Sequence, residues 1–217
     1  MQFQELFKNI PNSKIFALTK IYETTSKVSG IVQVYQQGNE RKLVVGGATQ
    51  SIYRTDESSR GYWGGLLPEN KVDSVLLLGL GGGTVTKILR KKWPDVQIIA
   101  YELDPVIVKV ARALFNLDKK IEIRIADARK SFLTRDNFDL VIVDLYLGNK
   151  LADFTTSPKF IKGVAKKLNS PGFAVFNRIP TSYNDQELRD FDAVINSVFK
   201  ESWAQKADLN LVFWGKK

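Results

Sequence analysis

The stretch Val75-Leu76-Leu77-Leu78-Gly79-Leu80-Gly81-Gly82-Gly83-Thr84 governs how the rest of this chain is read. Four consecutive apolar residues without polar alternation mark a strand buried on both faces, as in the middle of a parallel sheet. Glycines follow at once, and Thr84 to Lys92 has helical character, with Pro94 just past its end. A strand, a glycine turn and a helix in that order let backbone N–H groups approach a ligand with no Cβ in the way. The same pattern is also compatible with a tight turn that binds nothing. Thr84 occupies the last glycine position of a dinucleotide-type GxGxxG, so that fingerprint is incomplete.

Downstream, the strand–helix alternation continues. Strands are predicted at 96–101, 121–126, 140–143 and 173–176, with helices at 105–114 and 158–168 and a short one near 128–133. The alternation then breaks. A helix at about 185–199 is followed by 202–206 and 209–214, two short strands joined by a turn, which forces antiparallel pairing. Five parallel strands closed by an antiparallel pair predict an α/β, seven-stranded methyltransferase (Rossmann-like) sheet with an antiparallel last strand. Upstream, 31–35, 41–45 and 49–53 alternate around the turn Gln37-Gly38-Asn39-Glu40 and around Gly46-Gly47, which reads as a small β-hairpin domain. A helix is expected from about Glu57 to Leu67. The predicted division is residues 1–55 and 56–217.

Composition narrows the chemistry. The chain has 217 residues, 44% apolar and 25% charged, as expected of an ordinary globular protein. It contains no cysteine and no histidine, so thiolate chemistry, imidazole bases and the usual Cys/His zinc sites are excluded, and no metal is expected. No stretch approaches the ~20 apolar residues of a membrane span, and Met1-Gln2-Phe3-Gln4-Glu5 does not read as a signal peptide, so a cytoplasmic location is expected. The formal charge is +9, but its lysines and arginines are dispersed, including Lys87, Arg90, Lys91 and Lys92 on one helix. Solvated faces are favoured over a nucleic-acid groove.

Three carboxylates stand at the ends of successive predicted strands, where open parallel sheets bind ligands. Glu102, about 20 residues past the glycine turn, is placed to reach ribose hydroxyls, a relation shared by NAD and S-adenosyl proteins. Asp104 reads equally as the cap of the next helix. Asp127, in Ala126-Asp127-Ala128, is placed to accept from an adenine amine or to cap the short helix after it. Asp144 closes Asp139-Leu140-Val141-Ile142-Val143-Asp144 at the mouth of the same crevice, as a general base or a capping residue. Tyr146 is near enough to join it as a second catalytic candidate, or is packing. The candidate nucleoside contacts are Gly79, Gly81, Gly82, Gly83, Thr84, Glu102, Leu103, Asp127 and Ala128.

These residues resemble the spermidine synthase family. The similarity runs through the glycine turn, Glu102, Asp127-Ala128, Asp139–Asp144, Leu151-Ala152-Asp153-Phe154-Thr155-Thr156 and Pro171-Gly172-Phe173. In the N-terminal part it takes in Arg41-Lys42-Leu43, Gly47, Gln50 and Asp56-Glu57, and it spans about residues 22–215. The resemblance implies that Glu102 holds the ribose, Asp127 the adenine amine and Gln50 the top of the nucleoside, with Asp144 as the catalytic base. It also implies S-adenosylmethionine or its decarboxylated form as co-substrate, a small-molecule acceptor and a possible homodimer.

The polyamine side departs from the family. Thr84 stands where the family has an Asp for the aminopropyl amine, Leu147 where it has a second Asp beyond the base, and Tyr62-Trp63-Gly64 where it has Tyr-His-Glu. A buried ammonium without carboxylates costs several kcal/mol, as an order of magnitude. The sequence therefore predicts a transferase moving a methyl group from S-adenosylmethionine to an unidentified acceptor. Aminopropyl transfer and a non-catalytic nucleoside-binding module are the alternatives, and an NAD oxidoreductase and a nucleic-acid methyltransferase are disfavoured.

Overall fold

The computed structural model describes residues 17–54, 61–179 and 183–217. The chain begins as a four-stranded antiparallel meander of β1 (Thr19–Ser26), β2 (Gly30–Gln37), β3 (Glu40–Val45) and β4 (Ala48–Arg54). β1 lies before the hairpin read from the sequence, where Thr19-Lys20-Ile21-Tyr22-Glu23 is too polar to announce a strand. Val32, Val34, Leu43 and Val45 alternate onto one buried face, the period-two pattern of a half-buried sheet.

The seven-stranded sheet has the order β12-β13-β11-β8-β5-β6-β7. β5 (Ser74–Leu78), β6 (Gln97–Glu102), β7 (Glu122–Ile125), β8 (Phe138–Val143) and β11 (Leu168–Arg178) run parallel. β13 (Asn210–Lys216) pairs antiparallel with β11, and β12 (Glu201–Ala207) antiparallel with β13. This is the sheet expected from the sequence. The Asp208-Leu209 turn, with Asp208 at φ 55°, enforces the reversal.

Helices α1 (Thr84–Lys92) and α2 (Pro105–Leu114) cover one face of this sheet, and α3 (Pro158–Lys166) and α4 (Asp185–Val198) the other. Valine, leucine and isoleucine side chains of β5 and β8 are wholly buried between the two layers, which is why these strands read as unbroken apolar runs. α2 is shared between the two sheets. Val108 and Ala111 face the large one, while Ile107, Val110, Leu114 and Phe115 pack on Val32, Val34, Leu43 and Val45 of the meander. Asp104 accepts from Val106 N–H and caps α2, with Pro105 in its first turn.

Several boundaries differ from the sequence reading. α3 stops at Lys166, because Leu168 already pairs with Phe138. The short helix at Ala128–Leu133 is a 3₁₀ helix. The expected helix from Glu57 to Leu67 is represented by a 3₁₀ turn at Tyr62–Leu66; its earlier part, with Asp56, Glu57 and the boundary between residues 55 and 56, lies outside the described residues. A two-residue hairpin, β9 (Tyr146–Leu147) and β10 (Lys150–Leu151), follows β8. Among the described residues no helix is long and apolar enough to cross a membrane.

Candidate functional site

The chain moves outward from β5 through β6 to β7, and on the other side of β5 from β8 to β11. The crevice between β5 and β8 is therefore a topological switch point, where the loops leaving two adjacent strands part in opposite directions. A cavity of ≈ 340 Å³ opens there, within the range of small-molecule sites at about 300–1,000 Å³. Gly79, Gly81, Glu102, Leu103, Asp127, Ala128, Asp144 and Tyr146 all line it, and Val28, Ser29 and Val45 of the meander close it from above.

Gly79 sits at φ 96°, and a Cβ there would lie 2.1 Å from the carbonyl oxygen of Asp144. No side chain fits at that contact, so β5 and β8 can diverge around the turn only over glycine. Glu102 secures the turn from the next strand. Its Oε2 accepts from Leu80 N–H at 3.2 Å and Gly81 N–H at 3.3 Å, and its Oε1 accepts from Asp104 N–H at 3.0 Å. A carboxylate has about four acceptor sites, so a capacity for one further donor remains. Burial pushes the Glu102 carboxyl above its ordinary range, against the pull of these N–H groups.

Asp127 fills the capping role read for it. Its Oδ1 caps the 3₁₀ turn by accepting from Arg129 N–H at 2.8 Å, and the Arg129 guanidinium straddles both oxygens, with Nη2 2.6 Å from Oδ2. Arg129 thereby holds the Asp127 carboxyl below its usual range. The guanidinium also lies 4.6 Å from the ring centre of Phe154, another wall of the cavity. The oxygens read as receiving an adenine amine are thus occupied by a surface arginine.

Gly82, Gly83 and Thr84, read as nucleoside contacts, are turned to packing and lie outside this cavity. Gly82 N–H donates to Ser51 Oγ at 2.6 Å, and a Cβ on Gly82 would meet Ser51 and Phe115 at 2.8 and 2.9 Å. A Cβ on Gly83 would meet Leu117 at 2.5 Å. The Thr84 hydroxyl donates to Ile52 O at 2.9 Å and accepts from Ile52 N–H at 3.1 Å, which locks β4 to the start of α1. That hydroxyl has no free donor for a ligand's carboxylate. A glycine turn read alone does not separate ligand contact from the close seating of a neighbouring strand.

A second cavity, ≈ 250 Å³, shares Gln50, Gly79, Gly81, Asp144 and Tyr146 with the first and extends past Tyr62, Trp63, Thr84, Asn149 and Asn210. Gln50 reaches from β4 to donate to Gly148 O at 3.0 Å, bridging the meander to the β9–β10 hairpin above both cavities. Asp144 is gripped at each oxygen. Tyr62 OH donates to Oδ2 at 2.9 Å, and Asn177 Nδ2 donates to Oδ1 at 2.8 Å. Burial raises the Asp144 carboxyl; these two donors and the charge of Arg178 pull it back down. The phenol of Tyr62 is pushed well up by burial and by the Asp144 charge.

Tyr146 is committed elsewhere, since its hydroxyl donates to Asn177 O at 3.1 Å and accepts from Ile179 N–H at 2.9 Å. It anchors β9 to the end of β11 and lines both cavities. Arg178, 2% exposed, lies beneath with its guanidinium carbon 4.0 Å from the ring centre of Phe191, and burial lowers it to about 10.

Tyr62, Asn177 and Asn210 were not among the residues singled out from the sequence. Tyr62 stood in a segment matched only for its departures from the family, and Asn177 and Asn210 carry no local motif.

A doubly wound sheet with one reversed strand, a glycine turn after its first strand and acids ending the next ones defines the class I S-adenosylmethionine-dependent methyltransferase fold. Residues 75–172 match a family described as "Methyltransferase domain". The chain is similar to the polyamine aminopropyltransferase of Chromobacterium violaceum, 30% identical over 160 residues, which are 67% of this chain and 60% of that protein. It therefore spans less than two thirds of that relative's length. It is also similar to the eEF1A lysine and N-terminal methyltransferase of Xenopus laevis, 28% identical over 66% of this chain and 22% of that one. Among solved structures, spermidine synthase from Thermotoga maritima superposes with a TM-score of 0.75 at 16% identity, over 91% of this chain and 72% of its own. The chain has the spermidine-synthase-like form of the class I methyltransferase fold, with its N-terminal antiparallel sheet.

Proposed function

We propose that this chain is a transferase that binds S-adenosylmethionine in the first cavity and delivers its methyl group to a small acceptor seated in the second. The observation that carries the reading is the position of Asp144 in the wall common to both cavities. The turn at Gly79 and Gly81 receives the nucleoside, Glu102 takes a ribose hydroxyl with its remaining acceptor capacity, and Leu103 and Ala128 offer apolar contact to the base. Asp127 receives the adenine amine once Arg129 moves aside. The co-substrate supplies an electrophilic carbon on a sulfonium centre.

Asp144 takes the proton that the acceptor nitrogen or oxygen loses, and its raised carboxyl is a stronger base than an exposed aspartate. The two gripping donors hold it in one orientation, so positioning contributes alongside proton transfer. The meander and the β9–β10 hairpin, bridged by Gln50, both contribute walls to the two cavities.

Methyl transfer is preferred to aminopropyl transfer because Thr84 and Leu147 replace acids that the family resemblance assigns to the amines. Aminopropyl transfer from decarboxylated S-adenosylmethionine is the second reading, favoured by the likeness to the Chromobacterium violaceum protein. The two reactions release different nucleosides. Calorimetry with both co-substrates, followed by product analysis, separates them: S-adenosylhomocysteine supports methyl transfer, and methylthioadenosine with tighter binding of the decarboxylated form overturns it.

A further inference from the structure

The Asp144 carboxylate is tied to the last strand of the sheet. Asn210 Nδ2 donates to Asn177 Oδ1 at 2.9 Å, and Asn177 Nδ2 donates to Asp144 Oδ1 at 2.8 Å. Asn177 is 0% exposed and Asn210 7%, so water does not supply these bonds in their place. We infer that Asn210 is a positioning residue for Asp144, acting through the side-chain amide of Asn177.

An asparagine amide presents a donor at one end and an acceptor at the other, and nothing in its shape chooses between them. Turned over, Asn177 would set its oxygen against the Asp144 carboxylate and its NH₂ against the NH₂ of Asn210, two repulsive contacts in place of two bonds. Asn210, with its donor on Asn177 Oδ1, therefore reinforces the orientation that the acceptor-only Asp144 carboxylate favours and holds the Asn177 donor on it. With Tyr62 on Oδ2, each oxygen is then held by one bond, and the carboxylate plane cannot rotate away from the acceptor cavity that Asn210 itself lines.

The fold explains why Asn210 is the residue that can do this. β13 runs against β11 in the register Asn177↔Val212 and Arg178↔Leu211. A reversed strand begins where its neighbour ends, so the first residue of β13 arrives at the carboxyl edge of the sheet, beside the site. A parallel strand in the same position would bring its last residue there instead, after a long crossover.

This inference rests on Asp144 being the base, but its central measurement does not require turnover. The groups facing Asp144 are Tyr62 from the 3₁₀ turn, Arg178 and Asn177 from β11, and Tyr146 from β9 through its contact with Tyr62 and Arg178. All are retained in the variants Asn210→Ala and, except for Asn177, in Asn177→Leu. The titration midpoint of Asp144 is read by carbon-13 NMR of aspartate carboxyls, with its resonance assigned by loss in Asp144→Asn.

Removing a donor that favours the charged form raises the midpoint. Asn177→Leu is expected to raise it by about one pH unit, the size of one hydrogen bond to a charged group. Asn210→Ala is expected to raise it by less, and the double variant to match Asn177→Leu alone, because Asn210 acts only through Asn177. If Asn177→Leu does not fold, Asn210→Ala, at the hairpin, and Asn210→Gln, which restores a donor, still decide the matter. An unmoved midpoint in Asn210→Ala, or additive effects in the double variant, would overturn the inference. Retention of transfer in Asp144→Asn would instead remove the base reading and leave the titration result standing.

Discussion

Replacing Gly79 by alanine tests the geometry on which both cavities depend. The new Cβ would stand 2.1 Å from Asp144 O and 3.0 Å from its carbonyl carbon, with Leu145 Cδ2 at 3.6 Å. Ordinary contact begins near 3.4 Å, so Gly79 and Asp144 must separate by about 1.3 Å, the difference between that distance and 2.1 Å. Both backbones are pinned: Gly79 N–H donates to Tyr101 O at 3.0 Å and Asp144 N–H to Leu78 O at 2.9 Å. The movement must therefore stretch the sheet or displace the Asp144 side chain from Tyr62 and Asn177. Strain at positive φ costs about 1–3 kcal/mol, and forced overpacking about 1–3 more. The sum is a large part of a domain's ~5–15 kcal/mol stability and corresponds to a fall of roughly 5–20 °C in Tm.

Differential scanning calorimetry and titration with S-adenosylhomocysteine read the two consequences, lower Tm and weaker nucleoside binding. Gly64→Ala is the matched control: its Cβ meets nothing within 4 Å, and its φ is not in the left-handed region. The control should leave Tm within about 2 °C, since surface changes usually fall within ±0.5 kcal/mol. If Gly79→Ala behaved like Gly64→Ala, the close approach of β5 and β8 would be wrong, and with it the placement of Asp144.

Glu102→Ala leaves the N–H groups of Leu80, Gly81 and Asp104 without their shared acceptor, and nucleoside affinity by calorimetry should fall roughly 10- to 100-fold. Arg129→Ala releases Asp127; because Arg129 is exposed and Asp127 partly so, Tm should barely change, while nucleoside binding should tighten and lose that gain in Asp127→Ala. For pH, the raised Asp144 carboxyl means that transfer climbs as pH rises through a midpoint above the ordinary aspartate range, and Asp144→Asn should abolish that limb. Its effect on stability has the opposite sign: the protonated form favours the folded state at low pH, and that contribution is lost as pH rises through the folded-state midpoint, a slope that chemical denaturation of Asp144→Asn against the parent protein should reveal.

The sequence by itself determined the sheet, because its evidence is local. Unbroken apolar runs of this length at 75–78 and 140–143, the first closed by glycines, read as strands buried on both faces, and a two-residue connection between the last strands can only reverse direction. It determined too that carboxylates would meet at one edge, since Glu102, Asp127 and Asp144 each end a strand and parallel strands end on the same side. What those groups do was decided by contacts between residues far apart in the chain. Thr84 belongs to Ile52 and Gly82 to Ser51, so two positions that read as ligand contacts part from Gly79 and Gly81 once β4 lies on the glycine turn. Asp144 gains its orientation from Tyr62, 82 residues before it, and from Asn177, 33 after it. Hydrogen bonds reach only about 3 Å, and no spacing along a strand or helix encodes which distant donor will come within that reach; the packing of two sheets against one helix does.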